Sequence, residues 1–359
     1  MAITAFSKQL NRELDALQYF SLLGHDIKKD PELNFISDKE RLNVKKDITC
    51  PSCGVENAII VSGSKNDKNK AIRQPHFRFL DANGNEAHHE YCDLKTVEAF
   101  KDITCSNVSF LSQKSNSELT KLIGEIVSSA LTSEIIKVSD MVNLRQWHFN
   151  LKKDNISKIF VSSDKLHPYE VYKCRKNLDT VSALNPTIEP ESVINKLALD
   201  KIVAQNKDTY NKIEQHPDFK IKARDIKSFF KNGSRSVFDV RLLSEQYDLS
   251  NKFGHAILNS FKTTLNSQKE KSILQACCAL FLYVNKWQIE TSIDMFNLAL
   301  KNRNQKSTIE ANIIGFNPFY KYDFYEAILN INDVANSLPT SDELRILVAE
   351  TAKNLDKKI

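Results

Sequence analysis

Residues 117–145 carry the clearest periodicity in the chain. Leu119, Leu122, Ile123, Ile126, Val127, Ala130 and Leu131 recur at intervals of three and four, which lays an apolar stripe along one side of a helix. Ser115 and Ser117 can cap its start, and Glu118 suits its first turn. Residues 5–23 repeat the pattern with Phe6, Leu10, Leu14, Leu17 and Leu22, leaving Lys8, Arg12 and Glu13 outward; an amphipathic helix that must dock on something is expected there. Residues 30–46 are irregular. Residues 48–110 then place short apolar runs, Ala58-Ile59-Ile60-Val61 and later Phe77 and Phe79, between polar stretches at 62–70 and 81–85. Two strands separated by exposed turns fit this segment.

Farther along, 158–173 gathers β-branched and aromatic residues around His167-Pro168 and reads as a short hairpin or strand pair, and 185–190, with two prolines, reads as a linker. Beyond Glu191 nearly every segment is helical in pattern. Helices are expected at about 190–214, 221–231, 235–247, 249–266, 270–286, 288–302, 321–336 and 340–356, with breaks at prolines or at Asn232-Gly233-Ser234. No repeated signature separates a bundle from a stack of helical pairs. The expected fold is predominantly α, with a small N-terminal zinc-bound β-containing module and a C-terminal helical bundle or helical-pair array. Three parts follow: 1–110 as N-terminal helix plus zinc module, 111–185 as long helix and hairpin, and 186–359 as an all-helical domain.

Composition changes this picture little. Only 8 glycines and 9 prolines in 359 residues favour long elements, and 50 Lys and Arg against 45 Asp and Glu make the chain mildly basic. The first 20 residues lack the basic-then-apolar order of a secretory signal, and 276–284 is far too short to cross a bilayer. A soluble, cytoplasmic protein with no membrane partner is expected. Seven unevenly placed cysteines do not form a disulfide framework; beside histidines in a reducing compartment they point to metal.

Cys50-Pro51-Ser52-Cys53-Gly54 is the sharpest motif. Two thiolates two residues apart on a tight turn face one metal, and zinc needs two further ligands in a tetrahedron. The run His88-His89-Glu90-Tyr91-Cys92 offers them. Cys92 is the natural third ligand, and either His88 or His89 can turn its imidazole to the same point as the fourth, with His76 a less suited competitor and Cys105 a substitute cysteine. Three cysteines and a histidine close the tetrahedron, so the expected zinc is structural rather than catalytic. The pentapeptide Lys-Asp-Ile-Thr-Cys at 46–50 recurs at 101–105 without a second CxxC and reads as coincidence.

The order CPSCG, apolar strand, basic loop, His76-Phe77-Arg78-Phe79 and then His88 to Cys92 resembles the N-terminal zinc-finger region of competence protein CoiA-like proteins over about residues 48–95. In that family an HFxH-type element follows the CxxC. Here Phe79 stands where its second histidine is expected, which favours His88 as ligand. The resemblance implies a bacterial role in DNA uptake, mobile-element biology or defence against phage. It also brings the prospect of a restriction-endonuclease-like nuclease domain, whose divalent metal needs an Asp and a D/E-x-K element. Asp93-Leu94-Lys95, Asp225-Ile226-Lys227 and Glu170-Val171-Tyr172-Lys173 are the nearest matches, the last with wrong spacing.

A basic segment supplies the candidate nucleic-acid contacts Lys222, Arg224, Lys227, Lys231 and Arg235, and Lys65, Lys68, Lys70, Arg73 and Arg78 flank the zinc motif. Such residues neutralise phosphates, although each group also reads as a solvated face. His148, between Trp147 and Phe149, reads as a core or surface residue rather than a catalytic one, and Cys277-Cys278 read as core. No phosphate-binding glycine loop, nucleophile elbow or HExxH is present, so no catalytic residues are assigned. The leading expectation is a zinc-stapled protein that binds or scaffolds nucleic acid, DNA foremost. The alternatives are a divalent-metal-dependent nuclease and a helical adaptor for a protein partner.

Overall fold

In the computed structural model the segment 5–23 is not one helix. Strands β1 (Ala5–Ser7) and β2 (Arg12–Leu14) form an antiparallel hairpin, turned by Asn11 in a left-handed conformation (φ 48°). Helix α1 (Ala16–Leu22) starts only after Asp15, whose carboxylate accepts the Gln18 amide while the Gln18 side chain accepts that of Asp15. This reciprocal cap fixes the helix start. The helical spacing was real but came from Leu10, Leu14 and Leu17 packing on one core from different elements. The irregular stretch 30–46 also hid a helix, α2 (Asp38–Asp47), opened by a Ser37/Glu40 capping box. Only Val44 and Asp47 are buried along it, so it carries no apolar stripe to read.

Strand β3 (Ile48–Thr49) adds to β1 and completes a three-stranded sheet ordered β2-β1-β3. Asp47 ties the corner together by accepting Ser7 Oγ at 2.5 Å and the Gln9 amide at 2.6 Å. Strands β4 (Ala58–Val61) and β7 (His76–Phe79) pair antiparallel, Ala58 opposite Phe79 and Val61 opposite His76. Short strands β5 (Ser64–Lys65) and β6 (Ala71–Arg73) lie between them in sequence. Tyr19, Phe20, Leu33, Val44, Ile48, Phe77 and Phe79 form the core beneath these sheets, joined by Phe149 from a later helix.

The expected helix at 117–145 is two, α3 (Glu118–Thr132) and α4 (Val138–Asp154). They part where Glu134 takes φ 54° and Ile135 and Ile136 both donate to the Ala130 carbonyl. Helices α5 (Ser244–Ser260), α6 (Gln268–Val284) and α7 (Ile289–Lys301) follow. Every residue of α6 from Ile273 to Leu282 is buried. This helix packs against α3, α4, α5, α7 and strand β11 (Ile313–Phe316), which pairs with β8 (Val108–Phe110). The arrangement is a bundle with a central helix. Phe253 and Phe281 meet Phe296 edge-on at 5.6 and 5.5 Å, and each such ring stabilises the core by roughly 1.5–3 kcal/mol.

Among the described residues strand β9 (Ile156–Ile159) pairs with β10 (Arg235–Phe238); the rest of the hairpin expected at 158–173 lies outside them. A helix was expected across 235–247. The β-prone Val237-Phe238 pair enters the ladder instead, and the Arg241 guanidinium then forks onto the Asp239 carboxylate through two 2.9 Å bonds. Arg241 also reaches Asp333 on helix α8 (Tyr322–Ala335), and α9 (Ser341–Asp356) follows.

The described residues are 4–65, 71–95, 108–110, 117–159, 235–303, 313–335 and 340–356, with 201, 204, 205 and 208 as isolated positions. Those of Met1–Asn155 and Leu242–Tyr320 form one compact unit, and those of Ile156–Arg241 and Lys321–Ile359 a second. The expected linker at 185–190, the helix at 221–231, most of that at 190–214 and the second pentapeptide copy lie outside the described residues. No helix among the described residues is long and apolar enough to cross a membrane.

His148 lies fully inside the first unit, its ring 5.0 Å from that of Phe316. Burial pulls its pKa down from 6.5 to about 4, and nearby Lys152 adds to this while Asp93 opposes it. The unfolded chain therefore binds a proton that the native state refuses between those pH values. The neutral ring's contribution is complete above pH 6.5 and is lost as pH falls toward 4, by about 3 kcal/mol. Urea unfolding of wild type and His148→Asn across this range should show the shallower pH slope in the variant; equal slopes would refute the assignment.

Candidate metal centre

Cys50 leaves the end of β3 and begins a tight turn. Its amide donates to the Val55 carbonyl at 2.9 Å, and the Gly54 amide returns to the Cys50 carbonyl at 3.0 Å. Gly54 takes φ 72°, which glycine adopts without strain, and the turn aims Cys50 and Cys53 at one point. A second turn brings the other arm, with the Cys92 amide donating to the His89 carbonyl at 2.9 Å. Each turn also directs one backbone N–H at a sulfur, Ser52 toward Cys50 and Leu94 toward Cys92, both at 3.4 Å.

Cys50, Cys53, His88 and Cys92 offer one ligand atom each, all within 4.8 Å of one another. The Sγ atoms of Cys50 and Cys92 are 3.7 Å apart, and His88 Nδ1 lies 3.6 Å from Cys53 Sγ and 3.5 Å from Cys92 Sγ. Tetrahedral zinc, with bonds of about 2.3 Å to sulfur and about 2.0–2.1 Å to nitrogen, requires about 3.8 Å between sulfurs and about 3.6 Å from sulfur to nitrogen. The observed spacings meet that requirement, and the donor set is compatible with zinc.

Electrostatics point the same way. Burial pushes the Cys50 thiol well above its ordinary range, while Cys53 is held low by hydrogen bonds from Cys50 and Cys92. Three sulfurs packed this closely repel one another as thiolates. A divalent cation at the centre allows all three to be thiolates without mutual repulsion.

The ring of His88 is set by Phe79, which meets it edge-on at 5.0 Å. The phenylalanine standing where the CoiA-like pattern expects a histidine is thus the wall that positions His88. His89 turns away: its Nδ1 accepts the Tyr91 amide at 3.3 Å and its ring meets Phe149 at 5.2 Å. His76 faces the Gln74 carbonyl from β7, outside the cluster. Cys105 lies outside the described residues.

Around the centre sits a set of buried charges, of which the sequence reading marked only Asp93, as a D-x-K candidate, and placed Glu13 outward, whereas its side chain is 6% exposed. Arg145 of α4 donates through Nη1 to Glu13 at 2.8 Å with its side chain 2% exposed. Burial alone would lower its pKa; Glu13, with Cys50 and Asp93 nearby, more than offsets this and keeps the guanidinium charged. Lys152, one further turn pair along α4, pairs with Asp93, and both are buried. The available signal was Arg145 and Lys152 falling on the same helical face as Met141, Leu144, His148 and Phe149.

Asp93 is also the acidic member of the only fully described D-x-K candidate. Its carboxylate is engaged by Lys152 in the interior, whereas 225–227 and 170–173 lie outside the described residues. Of the nucleic-acid candidates, Lys222, Arg224, Lys227 and Lys231 lie outside them too, and Arg235 opens β10 opposite Ile159.

Purified protein should contain one zinc per chain by elemental analysis. Cys53→Ser, Cys92→Ser and His88→Ala should each lose it together with thermal stability, while His89→Ala keeps it. Metal retained by His88→Ala and lost by His89→Ala would reverse the ligand assignment.

Comparison with known proteins finds no matching family model, no matching curated protein and no matching solved structure.

Proposed function

We propose that this chain is a zinc-stapled nucleic-acid-binding protein, with DNA as its foremost ligand, and that its zinc is structural. The observation that supports the structural part is the donor set itself: three sulfurs and one imidazole lie within 4.8 Å of one another, enough to fill all four positions of a tetrahedral zinc and leave none for an activated water. Basic side chains beside the centre support the binding part. Arg78 is exposed on the outward side of β7, opposite half-exposed Ile59, and Arg73 is exposed on β6. The basic segment holding Lys222, Arg224, Lys227, Lys231 and Arg235 adds a second group able to neutralise phosphates. The CoiA-like resemblance over 48–95 supports a bacterial, cytoplasmic setting of DNA uptake, mobile-element biology or phage defence.

A duplex oligonucleotide should bind with affinity that falls steeply with salt, by about 0.9 in log K per log salt for each phosphate neutralised. The pairs Arg73→Glu/Arg78→Glu and Lys227→Glu/Lys231→Glu should each weaken binding and flatten that slope. Absent or salt-insensitive binding would overturn the reading in favour of a protein-binding adaptor. Plasmid cleavage with Mg²⁺ or Mn²⁺ that survives removal of the zinc would overturn it in favour of a nuclease.

A further inference from the structure

The centre and helix α4 meet through side chains that follow directly on the metal ligands. His89 comes after ligand His88 and places its ring on Phe149 of α4. Asp93 comes after ligand Cys92 and engages Lys152 of α4. On the other arm, Arg145 holds Glu13 of β2. Arg145, Phe149 and Lys152 lie at positions i, i+4 and i+7 of one helix face, and all are buried. Charges this deep persist only when paired, and removing one partner from such a pair is strongly destabilising.

We infer that metal occupancy and the docking of loop 88–95 onto helix α4 are one coupled equilibrium, with His89, Asp93 and Lys152 as positioning residues of the centre. The metal clamps His88 and Cys92 to Cys50 and Cys53, and that clamp is what presents His89 and Asp93 to α4. Without it the loop is released, and Lys152 is left buried without its carboxylate. The coupling is reciprocal by thermodynamic necessity: whatever weakens docking weakens metal binding by the same factor. Helix α4 carries the effect onward, because Trp147 packs on Tyr283 and Trp287 at 5.8 and 5.4 Å. Metal loss therefore reaches the helical bundle as well as the small sheets. The inference rests on the zinc centre and is independent of nucleic-acid binding.

The test compares wild type with Asp93→Asn/Lys152→Met, which removes both charges and strands neither. Zinc affinity is measured by competition with a chromogenic chelator, and amide hydrogen exchange of wild type is followed with and without zinc. The folded double variant should still bind one zinc per chain, about tenfold or more weakly, as outer-shell changes at metal sites do. Zinc removal should raise exchange across 138–154 as well as 48–95, while α7 changes little. Affinity within twofold of wild type, or an exchange increase confined to 48–95, would overturn the coupling and leave the zinc centre standing. Wild type that takes up no zinc would remove both. Should the variant not fold, the exchange measurement on wild type decides alone.

Discussion

Four ligand atoms must meet at one point although the chain delivers them in two instalments, at Cys50 and Cys53 and then at His88 and Cys92. Most of the N-terminal architecture answers to that demand. The β3 end and the Gly54 turn present the first pair. The β4–β7 ladder spans the intervening sequence and returns the chain at Phe79, whose ring fixes His88. Sheets of two and three short strands are marginal by themselves, and a metal held by these four ligands would tie their ends together and stabilise the folded state by its binding free energy. The apolar cluster around Tyr19, Phe20, Phe77 and Phe79 then closes over a frame already held in register.

Burying ionic pairs beside such a centre would be unfavourable without compensation, since the desolvation of Arg145, Glu13, Asp93 and Lys152 opposes their mutual attraction. Their placement has a geometric consequence that apolar residues would not supply. An apolar contact tolerates sliding, whereas a guanidinium or ammonium buried against one carboxylate has a single acceptable register. Helix α4 is consequently held at one rotation relative to the metal loop, and its remaining buried positions, Met141, Leu144 and Phe149, fall into place with it.

The sequence announced the four ligands because cysteine spacing is local and chemically specific, and it left His88 and His89 in competition because both can reach the same point. What separated them was tertiary: the Phe79 ring on one side and Phe149, from a helix some 60 residues away, on the other. The long helices α5, α6 and α7 were legible since their apolar residues repeat over three or four turns. The failures share one cause. At 5–23 residues from a hairpin and a helix fill the same core and mimic a single helical stripe, while α2 buries almost nothing and shows no stripe at all, although its Ser37-x-x-Glu40 signature was present. At 235–238 pairing with β9 overrides local helical pattern. Arg145 and Lys152 were not singled out because charge alone does not declare its partner.

The same interior bears on the choice between binding and catalysis. A two-oxygen site for a catalytic divalent metal needs a carboxylate open to solvent and substrate, free to exchange ligands during turnover. Asp93 is closed off: it lies next to Cys92 in the chain, faces inward and is engaged by Lys152. To serve a second metal it would have to abandon an ammonium buried with it, and the loop carrying ligands His88 and Cys92 would move as it did so. The side chains around the centre that do face outward carry both signs, Arg73 and Arg78 beside Glu56 and Glu90, and none of these carboxylates is shown converging on Asp93 to build a second metal site.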